Sequence, residues 1–379
     1  MTDPLREHQD WARRWLFDAA LPLWWERGAD RENGGWFEHL DQSGAPTAAP
    51  KRCRVQARQT YVYAQAKRLG WSGADDAQIR HGIDFLDRAY RRADGFYRKA
   101  AHVDGSVADD GFDLYDQAFV LLALVSGYQA LGEPTELRDQ ALRLLDLLGE
   151  RLAHPGGGFQ EDSPPRLPLR SNPHMHMLEA LLAWTQAGGG AAFEERARQI
   201  TDLATRCFLD PATGAVGEYF DADWRFLPGD EGGVREPGHQ FEWAFLLTEA
   251  AEVLGGDHRA AVERLERFGR TQGIDGAREV AVFATDAAGT ITDADARLWS
   301  QTERLRTALV LGAHVGADDA ARFADDAARA GATIRRYLDV PVAGLWRDRM
   351  LANGTLVDEP APASSFYHIV SALLPLLAR

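Results

Sequence analysis

Asn172-Pro173-His174-Met175-His176, Pro237-Gly238-His239-Gln240-Phe241-Glu242 and Ser364-Ser365-Phe366-Tyr367-His368 read alike. Each sets a histidine in the predicted first turn of a long apolar helix. His176 and His239 lie 63 residues apart, and His368 follows two repeats further on. Extended backward in steps of 59, the same ladder reaches Gln117 and then Arg58; extended forward by 64 from His239, it reaches Glu303. One polar residue per repeat, at one place in each helix, sends polar groups to one end of a ring. A toroid of helices builds a pocket in that way.

A second repeat marks the same period. Glycines with aromatic or β-branched neighbours recur at Gly35, Gly95, Gly158, Gly214, Gly276 and Gly344, with spacings of 60, 63, 56, 62 and 68. Most of these segments end in a polar-glycine turn such as Ser43-Gly44, Asp104-Gly105 or Asn353-Gly354, the pattern of a tight hairpin. The third unit departs from it, with Pro164, Pro165 and Pro168 in a loop that replaces a full hairpin. Between the loops, apolar periodicity predicts twelve helices, over 6–26, 55–69, 74–91, 113–130, 135–153, 173–187, 191–208, 238–254, 257–272, 297–315, 317–337 and 364–377. In the regular pairs the first helix is apolar almost all round, as in Ala118-Phe119-Val120-Leu121-Leu122-Ala123-Leu124, and the second is amphipathic. A helix apolar all round is buried; an amphipathic one covers it. Six inner and six outer helices predict an all-α fold, an (α/α)6 barrel with short β-hairpin loops. Because repeat units cannot bury their apolar faces alone, residues 1–379 are expected to form one catalytic domain.

Composition removes several classes of function. Apolar residues at 45% and charged residues at 26% are ordinary for a soluble protein. A net charge of −15 and the lack of any basic block exclude phosphate-backbone binding. Arg6, Asp10, Arg13, Arg14 and Asp18 interrupt the first residues, unlike a signal peptide. No apolar run approaches the length needed to span a bilayer. Cys53 and Cys207 are too few to staple a chain this long, so reduced thiols and a cytoplasmic location are expected.

The candidate chemistry sits on the ladder. Asn172 is read as an N-cap with Pro173 at the first helical position, Pro237 precedes His239, and Ser364 or Ser365 is read as the cap before His368. The positive end of a helix disfavours imidazolium, so these histidines are expected to be neutral bases suited to taking a proton from carbon beside a carbonyl. His239 and Glu242, three apart, share a helix face. His174 and His176 cannot both face inward; His176 is in register, and His174 is read as loop structure or pocket rim. Arg58 is read as an electrophile for a substrate oxygen gaining charge, or as a buried salt bridge to Glu242 or Glu303. Tyr115, Asp116, Gln117, Asn172, Trp299, Gln301 and Glu303 are the candidate sugar-binding groups. His8, His39, His81, His102, His154, His258 and His314 fall off the ladder and take no role.

Gln56-Ala57-Arg58-Gln59, Asn172 through Ala180, Pro237 through Trp243 and Phe366-Tyr367-His368 together resemble the N-acylglucosamine 2-epimerase family, over essentially the whole chain. The resemblance implies (α/α)6 barrels that interconvert free sugars at C1 and C2 with no catalytic metal or redox cofactor. It implies His239 and His368 as the acid/base pair, with Arg58, His176 and Glu242 positioning substrate and stabilising charge. The Gln-Phe-Glu-Trp run and the closing Ser-Ser-Phe-Tyr-His motif look closest to the mannose isomerase branch. The expected reaction is therefore aldose–ketose isomerisation of mannose and fructose through a cis-enediolate. A 2-epimerase and an (α/α)6 glycoside hydrolase built on Glu242 and Glu303 are the alternatives. The expected partner is a free monosaccharide, since no Gly-rich phosphate cradle is present, and the expected state is a monomer or homodimer.

Overall fold

The computed structural model describes residues 4–378. Twelve barrel helices alternate along it: α1 (Pro4–Arg14), α2 (Cys53–Arg68), α3 (Asp76–Phe85), α4 (Leu114–Ala130), α5 (Thr135–Leu152), α6 (Ser171–Gln186), α7 (Ala191–Leu203), α8 (Pro237–Leu254), α9 (Arg259–Gln272), α10 (Leu298–Leu311), α11 (Ala317–Leu338) and α12 (Ser364–Leu377). Turns of π-helix prolong α1 to Gly28, α3 to Tyr90 and α7 to Phe208. The even-numbered helices form the inner ring, each packed on the next, and α12 returns to α2 to close it. Burial separates the two sets. In α4 every residue from Asp116 to Tyr128 is buried. In α5 only Leu137, Ala141, Leu144, Leu145, Leu148 and Leu152 are buried, one stripe at helical spacing. Among the described residues, no helix is long and apolar enough to cross a membrane.

The predicted polar-glycine turns are present. The N–H groups of Gly44, Gly105 and Gly354 donate to the carbonyls of Asp41, His102 and Leu351, and all three glycines have positive φ. Most strands, however, pair between units and not within a hairpin. Lys51–Arg52 pairs with Ala100–Ala101, Leu169–Arg170 with Tyr219–Phe220, and Ala296–Arg297 with Arg349–Met350. Each segment leading into an inner helix thus satisfies its backbone against the next unit's loop. His39–Leu40 pairs with Ala361–Pro362, so the first unit is laced to the last. Beside that seam Trp24 stacks on Trp346 at 4.9 Å and donates its indole N–H to Gly344 O at 3.1 Å.

A carboxamide strut fixes each loop to its helix. Gln56, Gln117, Gln240 and Gln301 all occupy the fourth position of their inner helices. Their amides exchange hydrogen bonds with the backbone of Trp36, Tyr97, Val216 and Ala281 at 2.7–3.0 Å. His174 fills this position in the third unit, accepting from Phe159 N at 3.1 Å, as its reading as loop structure anticipates. The close approach explains two of the recurring glycines, Gly35 and Gly158, the latter's Cβ position lying 2.8 Å from His174 Nε2. A Cβ on Gly35, at φ +72°, would stand 2.5 Å from Gln56 Oε1 and 2.2 Å from the Phe85 ring. Gln117 and Gln301, read as sugar-binding groups, have their amides bonded to backbone in the loops. Asp116 is likewise occupied, by Arg54 at 2.8 Å.

Candidate active site

The N-terminal turns of the inner helices converge at one end of the barrel. Arg58, His176, Glu242 and Glu303 each stand sixth in α2, α6, α8 and α10 and form one layer. His239, third in α8, and His368, fifth in α12, lie above it toward the mouth. All six are buried.

The three histidines are held alike through Nδ1. His368 Nδ1 is 2.8 Å from Glu303 Oε1, His239 Nδ1 is 2.9 Å from Glu218 Oε2, and His176 Nδ1 is 3.4 Å from Glu179 Oε2. A carboxylate on Nδ1 selects the tautomer and turns Nε2 away from it. Trp299 lies between two of the rings, its centroid 5.0 Å from His239 and 5.9 Å from His368. His176 is 6.4 Å from His368.

The surroundings drive these rings to opposite protonation states. Burial and then the Arg58 charge push the His368 pKa well below its ordinary value. Burial lowers His176 to about 4, against the pull of Glu179. Burial also disfavours the His239 cation, but Glu218 and then Glu236 overcome it and raise the pKa to about 10. The expectation of uniformly neutral histidines is therefore corrected at His239. Two carboxylates, Glu218 in hydrogen-bond contact and Glu236 beside it, outweigh burial at His239, whereas the single contact of His368 with Glu303 does not.

Beneath the histidines is a layer rich in carboxyl groups. Burial raises Glu303 to about 7 in spite of Arg306. Burial, then Glu303 and Glu179, raise Glu242 well above the carboxylate range. Among the described residues Glu242 Oε1 and Glu303 Oε2 are buried without a hydrogen-bond partner, a costly state that a bound polar group would relieve. Arg58 donates to Tyr115 Oη at 2.6 Å and to Ser364 O at 3.2 Å, with Phe119 4.2 Å from its guanidinium. Among the described residues no carboxylate pairs with Arg58, so the salt bridge to Glu242 or Glu303 does not form. Three groups have the spacing to hold a metal ion, with ligand atoms within 4.8 Å of one another: His176/Glu179/Glu242, Glu242/Glu303/His368 and Glu218/Glu236/His239.

The remaining expectations divide. Tyr115 and Trp299 stand against His176 and between His239 and His368 respectively. Glu303 is bonded to His368. Asn172 is the second residue of α6, with Oδ1 buried and unpartnered; the cap position belongs to Arg170, whose guanidinium is held by Glu161 at 2.7 Å. Ser365 does not cap α12 but bonds Asp348 at 2.5 Å. Sequence reading missed Glu179, Arg306, Glu218 and Glu236. Glu179 and Arg306 are each three residues beyond a ladder residue, on the same helix face, and that spacing could have found them. Glu218 lies 21 residues before His239 in a loop, and no local pattern announces it.

Taken together, fold and site define a class: a helical barrel whose pocket pairs one histidine that favours the neutral form with one that favours the cation. A model of the N-acylglucosamine 2-epimerase family matches residues 35–372, and the chain belongs to that family of sugar isomerases and epimerases. It is 44% identical over 366 residues to a Rhizobium meliloti strain 1021 protein named mannose-6-phosphate isomerase, covering 96% of this chain and 95% of that one. It is 29% identical over 330 residues to a D-mannose isomerase of Thermobifida fusca, covering 80% and 79%. The crystal structure of a D-mannose isomerase superposes with a TM-score of 0.86 at 20% identity, over 99% of this chain and 97% of that one. The cellobiose 2-epimerase of Spirochaeta thermophila superposes equally well, with a TM-score of 0.86 at 23% identity, over 99% and 96%. At such identities the superpositions speak for the (α/α)6 barrel alone.

Proposed function

We propose that the chain is an aldose–ketose isomerase that moves a proton between C2 and C1 of an open-chain sugar, with His368 as base and His239 as acid. The opposite protonation of two histidines flanking one tryptophan carries this reading. In the proposed reaction neutral His368 takes the C2 proton through Nε2, and Glu303 stabilises the imidazolium that forms. The carbonyl oxygen gains negative charge as the cis-enediolate develops; cationic His239 and Arg58 stabilise it. His239 gives its proton to O1 and takes the O2 proton in return, and return of the C2 proton from His368 to C1 gives the ketose. His176 and Glu242 position hydroxyls, and Trp299 supports the sugar face. The ring laced from first to last unit favours residues 1–379 acting as one catalytic unit.

Mannose is the proposed aldose, supported by the relatives named D-mannose isomerase. The relative named mannose-6-phosphate isomerase makes the phosphorylated sugar the competing choice. Against a phosphate, three guanidiniums near the starts of inner helices are already matched, Arg54 to Asp113 and Asp116, Arg170 to Glu161, and Arg297 to Asp348, which leaves Arg58, the group proposed to hold the sugar oxygen. The hydrolase alternative needs two carboxyls free to flank a glycosidic oxygen, and Glu303 is engaged by His368. The 2-epimerase alternative keeps its support, because two histidines can serve two faces of C2.

Proton NMR in D2O tests these readings with mannose and with mannose 6-phosphate. The expected result is fructose from mannose, deuterated at C1, with part of the C2 protium transferred internally. Glucose labelled at C2 as the dominant product would establish epimerisation instead, and turnover confined to the phosphate ester would overturn the free-sugar assignment. EDTA in the same tubes should leave the rate unchanged; loss with rescue by Mn²⁺, Co²⁺ or Zn²⁺ would assign an ion to one of the histidine–carboxylate groups.

A further inference from the structure

A second cavity, of about 360 Å³, opens on the barrel face opposite the mouth. Tyr61, Ser126, Glu179, Gln186, Glu249 and Arg306 line it. Arg306 is ninth in α10, one turn below Glu303. Its Nη1 is 3.4 Å from Glu179 Oε1 and 3.8 Å from Glu303 Oε2, and its guanidinium lies 3.7 Å over the Phe245 ring. Both carboxylates lead upward: Glu303 Oε1 holds His368 Nδ1 at 2.8 Å, and Glu179 faces His176 Nδ1 at 3.4 Å and accepts from Tyr367 Oη.

We propose that Arg306 is a positioning residue, reached from the far cavity, that opposes protonation of Glu303 and Glu179 beneath the sugar and so favours the working tautomers of His368 and His176. The inference rests on the reading of His368 as base. The groups around Arg306 show why one cation matters here. Tyr61 faces it from α2, Glu179 from α6, Glu242 and Glu249 from α8, Glu303 from its own helix, and Tyr367 and His368 from α12. From α4 the cavity receives Leu122, Val125, Ser126 and Gln129, which carry no charge, and from α2 the cation Arg68. Without the guanidinium, crowded buried carboxyls take up protons sooner as pH falls. A protonated Glu303 donates to His368 Nδ1 where it should accept, which moves the imidazole proton to Nε2 and leaves no base toward the sugar.

The test measures kcat against pH on mannose, with mannose 6-phosphate as second substrate, for Arg306→Ala, Arg306→Lys and His368→Ala. Arg306→Ala is expected to lose roughly tenfold or more of kcat at neutral pH, with its acid limb moved to higher pH. Arg306→Lys should recover part of both. Millimolar guanidinium ion, admitted through the far cavity, should restore Arg306→Ala but not His368→Ala. A merely structural Arg306 would lower the melting temperature and leave the limb in place; an unmoved limb in Arg306→Ala overturns the proposal. If Arg306→Ala does not fold, the limb of Arg306→Gln, which removes the charge and keeps more of the bulk, decides alone. An unmoved limb with His368→Ala inactive removes only the role of Arg306, whereas activity surviving in His368→Ala overturns the acid/base reading itself.

Discussion

His239 and His368 have the same neighbours in kind, a carboxylate on Nδ1 and Trp299 beside the ring, yet they differ in charge. Two acids, Glu218 and Glu236, raise His239 to about 10; burial and Arg58 depress His368. Either histidine changed to alanine should lower kcat by about 10²–10⁴-fold in a steady-state assay while the far-ultraviolet spectrum stays unchanged; near-full activity in both variants would sink the pair. The pH profile carries the sign of the His239 shift. Its acid form is present below about pH 10, so kcat/KM should fall as pH rises through that value. Glu218→Gln removes the charge that raises it, and the alkaline limb should move to lower pH; an unmoved limb would mean that another group sets it. Arg58 offers a planar fork, stacked on Phe119 and bonded to Tyr115, that an ammonium cannot reproduce. Arg58→Lys should lose most turnover per folded molecule. A variant that loses only thermal stability would show Arg58 to be structural.

Spacing along the chain and position along a helix diverge at the level of elements. Steps of 59 tie Arg58, Gln117 and His176 into one ladder, yet Arg58 and His176 are sixth in their helices and Gln117 is fourth. Two residues turn a side chain by about 200°, so Gln117 faces the loop where His176 faces the axis. Loops of different length absorb the difference, and residue counting cannot see it. The helix periodicity was legible because it is local: 364–377 and 191–208 are read with their observed limits. The pairing of strands between units was not, because it depends on which loop lies beside which in the closed ring. The struts give their own test. Gln117→Met or Gln301→Met leaves a buried N–H and C=O unpaired, at about 1–3 kcal/mol for each group. Thermal denaturation should show the loss while KM stays constant; a raised KM at unchanged stability would return these residues to the sugar site.

For the molecule as a whole, the (α/α)6 architecture follows from the alternation of all-apolar and one-stripe helices, which the sequence displays openly. The acid partners of the histidines were harder to see, since Glu218 reaches His239 only when the fourth unit's loop folds back onto its own inner helix. Closure of the ring concentrates stability at a seam where Trp24 stacks on Trp346 and His39–Leu40 pairs with Ala361–Pro362. Trp24→Ala should cost about 3–5 kcal/mol, measured as a lower denaturation midpoint, with activity of the remaining folded protein intact. An unchanged midpoint would show that the seam contributes little.

That seam also sets an order of events during biosynthesis. His368 lies on α12, the same helix that completes the inner ring against α2. A ribosome that has delivered the first five inner helices has made an open crescent, with the apolar flanks of α2 and α10 turned toward water. Such a crescent lacks both its last wall and its proposed base, so the nascent chain has greasy edges to shield and no chemistry to offer. Ring closure and completion of the proposed site then arrive together, when α12 leaves the exit tunnel.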